Sequence, residues 1–229
     1  MSLPSSIRPN FDPIARPYRW LEYFSFGPML EHCRFYRLPQ LVDAQRALVL
    51  GDGDGRFLGR VLQINPHLHA DVVDLSPAML QLLNARVANT GAADRITLHC
   101  IDAGHFVPSG SYDLVVTHFF LDCFTTEELS TLAARILPCL SPDARWIVSE
   151  FSIPAGPMSF PARLIVRGLY TAFGLLTGLK TRHLPDHAAA LTGVGFARQE
   201  QHKWLKGLLI SELWQAQTTG TGLGSSHPS

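Results

Sequence analysis

The stretch RALVLGDGDG, residues 46–55, decides the fold. Arg46–Leu50 is a short apolar run that stops at glycines, the pattern of a strand buried on both faces. Gly51, Gly53 and Gly55 then alternate with Asp52 and Asp54. Glycines there let the chain turn sharply and let a ligand approach the backbone with no Cβ in the way. Helix is expected from Gly55 to Ile64, stopped by Asn65-Pro66. The helix start presents free N–H groups, so a nucleotide-type ligand should lie across the carboxyl ends of the first strands.

Apolar runs and helical patterns keep alternating on either side of this turn. His69–Asp74 reads as a second strand, and Ser76-Pro77 as an N-cap and first-turn proline for a helix lined by Met79, Leu83 and Val87 and closed by Gly91. Arg95–Ile101 and Tyr112–His118 are the third and fourth strands. Thr125 and Glu128 form a capping-box pattern ahead of Leu129, Leu132, Ala133, Ile136 and Leu137, a helix that Pro138 and Pro142 should end. Arg145–Phe151 is the fifth strand. A helix near 186–192, a turn at 193–195, and strands at Phe196–Trp204 and Leu208–Gln217 joined at Gly207 complete the series. Such alternation argues for a parallel sheet with helices on both faces and an antiparallel hairpin at its end.

The turn also discriminates between nucleotides. A dinucleotide fingerprint needs G-x-G-x-x-G/A, and its last position falls on Arg56 or Leu58 here. Carboxylates inside the turn repel a diphosphate and suit a ligand carrying an ammonium and a sulfonium, which favours S-adenosylmethionine over NAD. Asp74, at the tip of the second strand, suits the two ribose hydroxyls, although it is also placed to act as a helix N-terminal charge. Asp102, at the tip of the third, suits the adenine amino group, with the N–H of Ala103 beside it; a plain surface loop is the alternative.

Totals exclude little but point the same way. The 229 residues suit one domain with a small lid, are 46% hydrophobic and 17% charged, and balance 19 basic against 19 acidic side chains. No basic stripe asks for nucleic acid. Cys33, Cys100, Cys123 and Cys139 show no metal spacing and read as reduced structural residues. The start shows no signal-peptide pattern, and Arg163 and Arg167 interrupt the longest apolar stretch, 158–179, so a cytoplasmic chain with no transmembrane segment is expected.

Taken together, ALVLGDGDGRF, VVDLSPAML, ITLHCIDAGHF, YDLVVTHFFLDCF and ILPCLSPDARWIVSEF resemble the class I, Rossmann-like S-adenosylmethionine-dependent methyltransferases, over roughly residues 12–217. The resemblance implies a doubly wound seven-stranded sheet in order 3-2-1-4-5-7-6 with the last strand antiparallel. It implies that Gly51, Gly53 and Gly55 line the methionine part of the cofactor, Asp74 the ribose and Asp102 the adenine, with Leu75, Met79 and Ala103 also binding the cofactor. His118 and Phe119 match positions bordering cofactor and acceptor. Many members carry an acid two residues before the first glycine, where this chain has Val49; Asp52 or Asp54 would replace it, with Asp54 preferred from related GDG loops. Aminopropyltransferases share such a loop. The stretch FDPIARPYRWLEYFSFGPMLEHCRFYRL resembles the flap of small-molecule and quinone-type methyltransferases, with Tyr18 and Tyr23 over the cofactor. The expected organisation is a flap at 1–40, the methyltransferase domain at 41–217 with a helical lid near 155–185, and a flexible tail at 218–229.

Methyl transfer is an in-line displacement at an activated carbon, so the protein supplies alignment and desolvation, and a base only if the acceptor must lose a proton. His118 leads as that base, followed by Asp122, Glu150, His183 and His187; a pocket-wall role for His118 competes. Phe160, Leu164, Tyr170 and Phe173 are expected to shape an oily acceptor pocket under the lid, with burial on the sheet, a dimer contact or a membrane-surface contact as alternatives. The expected reaction is methyl transfer to a small, apolar acceptor. A non-catalytic adenosylmethionine-binding or partner-binding module and an NAD-dependent oxidoreductase are the competing readings.

Overall fold

The computed structural model describes Phe26, residues 28–177 and 184–217. The upstream flap with Tyr18 and Tyr23, the tail at 218–229, His183 and the side chains of Tyr170 and Phe173 lie outside the described residues. Helix α1 spans Met29–Phe35 and leads into strand β1, Arg46–Leu50. Helix α2, Arg56–Ile64, follows, then β2, His69–Asp74, and α3, Pro77–Ala88, capped by the Ser76 hydroxyl, which accepts from the Met79 N–H at 3.1 Å.

Strand β3 covers Ile96–Cys100, one residue shorter at each end than the apolar run suggested. Strand β4 is Tyr112–His118, and α4 is Thr126–Ile136, with both bonds of the Thr125/Glu128 capping box formed. Strand β5 runs Leu140–Phe151 and so begins five residues earlier than expected. Pro142 reads as a breaker in sequence, yet it lies where the β4–β5 pairing is irregular, between the Tyr112–Leu140 and Leu114–Arg145 pairs. A proline in a strand belongs at such an irregularity, where no ladder N–H is missed. Helix α5, Ser159–Thr177, α6, His187–Val194, and strands β6, Phe196–Trp204, and β7, Leu209–Ala216, complete the chain.

The sheet has the order β3-β2-β1-β4-β5-β7-β6. β7 pairs antiparallel with both β5 and β6, while the remaining pairs are parallel. Period-two alternation sends side chains to two cores. Ala47, Val49, Val72, Leu114 and Val116 pack against α2 and α3. Leu48, Leu50, Val73, Val115 and Trp146 pack against α4 and α6. Both faces are covered, which is why the central strands read as continuous apolar runs.

Helix α6 is tied to the sheet by a buried carboxylate. Glu212 accepts from His187, Arg198, Gln201 and Trp214 at 2.6–3.0 Å. Burial would raise its pKa, but the hydrogen bonds and the facing His187 outweigh burial and hold it at about 2.

Candidate functional site

The parallel register puts the polar strand tips along one edge. Leu50 lies beside Val73 and Thr117, and Asp74 beside Cys100. The 51–55 turn, Asp74, Asp102 and the end of β4 therefore line the carboxyl edge together, where ligands bind in open α/β sheets.

Gly51, Gly53 and Gly55 all have left-handed φ, of 67°, 62° and 76°. Two of them are also required by packing. A Cβ on Gly51 would sit 2.1 Å from the Phe120 ring, and one on Gly55 would sit 2.6 Å from Leu83 Cγ and 2.8 Å from its Cα. Gly55 thus lets α3 close onto the turn, a constraint that sequence alone does not reveal.

The two aspartates of the turn have different surroundings. Asp54 is paired on both oxygens, with Arg56 Nε and Arg86 at 2.9 Å each, and its carbonyl accepts from Arg86 Nε at 2.8 Å. Its role here is to hold α2 and α3 to the turn. Asp52 is buried; one oxygen accepts from the Leu58 N–H at 3.0 Å, and the other has no hydrogen-bond partner among the described residues. Burial pushes its pKa up to about 7, against the opposing pull of the Leu58 N–H and the Arg34 charge. Arg34, on α1, is buried and lies 5.6 Å from the centre of the Phe119 ring. It was not singled out in the sequence. The available signal was its place with Leu30, Cys33 and Arg37 on one helical face, where a charge is unexpected.

Asp74 Oδ1 accepts from the Ser76 N–H at 2.8 Å, which fixes the carboxylate at the end of β2. Leu75 beside it is exposed, and Met79 is buried. Asp102 is buried, accepts from the Gly104 N–H at 2.7 Å, and lies 3.9 Å from His105 Nδ1; Ala103 next to it is buried.

At the tip of β4, three consecutive residues diverge because Phe119 has φ 52°, rare for a side chain of its size. His118 turns inward, edge-on to Phe57 of α2 at 4.3 Å between centroids. Both its nitrogens are buried and have no hydrogen-bond partner among the described residues, and burial, with the Arg34 charge, pushes its pKa well below 6.5. Phe119 packs on Phe151 at 5.2 Å, and Phe120 covers Gly51. Glu150, at the end of β5, holds this turn: one of its oxygens accepts the Phe120 and Leu121 N–H groups at 2.9 and 2.7 Å. Its pKa is raised well above the carboxylate range, first by burial and then by the Asp122 charge.

Helix α5 follows β5, where the lid is expected. Phe160 is 77% and Leu164 66% exposed, while Ala162 and Val166 form the inward face of α5 against Leu208, with Phe151, Ile153 and Leu184. Hydrophobicity does not say which face of a helix turns inward, and here the small residues do.

Strand order, the antiparallel β7 and the glycine turn followed by two acid-tipped strands define the class I, Rossmann-like methyltransferase fold. Residues 48–146 match the family model described as a methyltransferase domain. Among curated proteins, polyamine aminopropyltransferase 2 from Bacillus cereus is 30% identical over 134 residues, 54% of this chain and 37% of that protein. Demethylspheroidene O-methyltransferase from Cereibacter sphaeroides is 28% identical over 165 residues, 70% of this chain and 41% of that protein. The chain thus spans less than half the length of either relative. Of solved structures, a putative O-methyltransferase from Nostoc punctiforme superposes with a TM-score of 0.72 at 18% identity, covering 93% of this chain and 64% of that one. Mitomycin 7-O-methyltransferase superposes at 0.64 and 18% identity, covering 91% and 61%.

Proposed function

We propose that the protein transfers a methyl group from S-adenosylmethionine to an oxygen of a small, apolar acceptor. The observation that carries this reading is Asp52. Within a turn built on glycines, it offers a buried carboxylate oxygen with no partner among the described residues, an arrangement that a cationic ligand group completes and a phosphate opposes. We assign to Asp52, in place of Asp54, the amino group of the methionyl end. Arg34, whose charge acts on Asp52, matches the carboxylate of that end. Asp74 accepts from the ribose hydroxyls and Asp102 from the adenine amino group.

When bound, the cofactor supplies an electrophilic methyl on a sulfonium. The chain's own contribution is placement and dryness. Phe119, Phe120 and Phe151 wall the acceptor side, and Glu150 fixes that wall through two backbone N–H groups. His118, neutral and packed on Phe57, forms the back of the pocket. The name of the Cereibacter relative supports an oxygen acceptor.

The Bacillus relative favours a second reading, aminopropyl transfer. That donor is decarboxylated, so it lacks the carboxylate that we assign to Arg34. Titration calorimetry separates the readings. Tight binding of S-adenosylhomocysteine, weakened sharply in Asp74→Ala, with little binding of NAD or decarboxylated S-adenosylmethionine, supports methyl transfer. Preference for the decarboxylated donor overturns it, and binding without methylated product from any acceptor in a lysate leaves a non-catalytic module.

A further inference from the structure

The outward face of α5 is unlike the rest of the surface. Phe160, Arg163, Leu164 and Arg167 stand at i, i+3, i+4 and i+7, a single stripe along the helix, and all four are exposed. Phe160 and Leu164 keep 77% and 66% of their surface in water, and Ile165 beside them keeps 44%. Isolated exposed apolar residues are ordinary, but large ones contiguous with cations on one face are not.

The charge along this stretch of sequence is one-sided. From residue 152 to 185 there is no Asp or Glu, while Arg163, Arg167, Lys180 and Arg182 are cationic. Elsewhere the chain compensates, because its totals balance at 19 and 19. The inward face is separately accounted for by Ala162 and Val166, so the helix does not need its outer apolar residues for folding. No helix among the described residues is long and apolar enough to cross a membrane.

We infer that this face of α5 rests on an anionic lipid surface, with Phe160, Leu164 and Ile165 in the acyl boundary and Arg163 and Arg167 at the phosphate level. Apolar side chains flanked by Arg are what an in-plane interfacial helix needs. A second copy of the chain fits less well. In a two-fold contact both copies bring Arg163 and Arg167 and α5 brings no acid to pair with them, and like charges in a desolvated interface are costly. The position gives the contact a use: Val166 packs in the cluster that holds Phe151, and Phe151 lies against Phe119 at 5.2 Å. A helix lying on lipid would thus bring the aromatic wall of the site close to dissolved apolar molecules. The inference does not depend on the reaction assigned above.

Vesicle flotation of the full chain tests it, using phosphatidylcholine vesicles with and without phosphatidylglycerol. Binding is expected on the anionic vesicles, weakening with added salt. Phe160→Asp with Leu164→Asp should lower partitioning by about a hundredfold, and Arg163→Gln with Arg167→Gln by about tenfold or more. Both double variants should keep the wild-type melting temperature, since the changed side chains are exposed. Equal binding to both vesicle types, binding to neither, or a wild-type dimer by light scattering that Phe160→Asp dissociates would each overturn the proposal.

Discussion

Gly55→Ala isolates what the glycine turn does for the fold. A methyl group at this position meets two penalties. With φ 76° the new alanine must adopt left-handed backbone, at a cost of about 1–2 kcal/mol. Its Cβ would also lie 2.6 Å from Leu83 Cγ and 2.8 Å from Leu83 Cα. The second of these is backbone and cannot swing away, so overpacking of about 1–3 kcal/mol is added. Gly91→Ala is the matched control, because Gly91 has φ 73° and nothing within 4 Å of the added Cβ. It should bear only the first penalty, about 1–2 kcal/mol. For a chain of this size these convert to melting-temperature losses of roughly 2–8 °C for Gly91→Ala and roughly 4–20 °C for Gly55→Ala. Thermal unfolding followed by circular dichroism measures both. If the two losses agree within a degree, the packing argument for Gly55 is wrong, and the turn owes its glycine to backbone freedom alone.

Four further outcomes are expected. Asp52 keeps its proton to about pH 7 when folded, against 3.8 for an ordinary aspartate, so the stability it supports is complete below the unfolded pKa and is lost as pH rises through about 7. Asp52→Asn should flatten that decline in urea midpoints between pH 4 and 8, and S-adenosylhomocysteine affinity should rise with pH from 6 to 8 in wild type only. Asp54→Ala should instead lower stability by roughly 3 kcal/mol, by removing the buried carboxylate that pairs with both Arg56 and Arg86, with a smaller effect on affinity. Glu150→Ala removes the acceptor of the Phe120 and Leu121 N–H groups, at about 1–3 kcal/mol each, while Glu150→Gln preserves it and should melt near wild type. His118→Leu exchanges a buried imidazole with no partner among the described residues for an apolar side chain, so stability should hold or rise, and turnover should fall less than tenfold; a loss near a thousandfold would make it a base.

Where a strand runs into Gly or ends in Asp, residue type and structure coincide, as at Leu50 and Asp74. Those ends follow from local chemistry, since glycine releases the chain into a turn and a rim carboxylate needs no partner from the core. The start of β5 was misjudged because Pro142 breaks a regular ladder but not an irregular one. Asp52 and Asp54 are chemically identical in sequence. Both are equally buried, and what separates them is the pairing of Asp54 with Arg56 and with Arg86, the latter 32 residues away. Arg34 escaped notice for the same reason: its partners are tertiary.

The tip of β4 carries the same lesson into function. His118 leads the candidate bases because it ends the fourth strand, at the rim of the sheet. Alternation holds to the last residue of β4 and puts His118 on the same face as Leu114 and Val116, against Phe57. The left-handed φ follows at Phe119 and gives the rim to two aromatic rings. A strained residue of that kind costs of order 1–3 kcal/mol and persists only where its surroundings over-determine it. Here those surroundings are the two N–H bonds to Glu150 and the Phe151 ring, both from β5. Control of the acceptor wall therefore passes from β4 to its neighbour, and substitutions at Glu150 should disturb acceptor selection more than substitutions at His118.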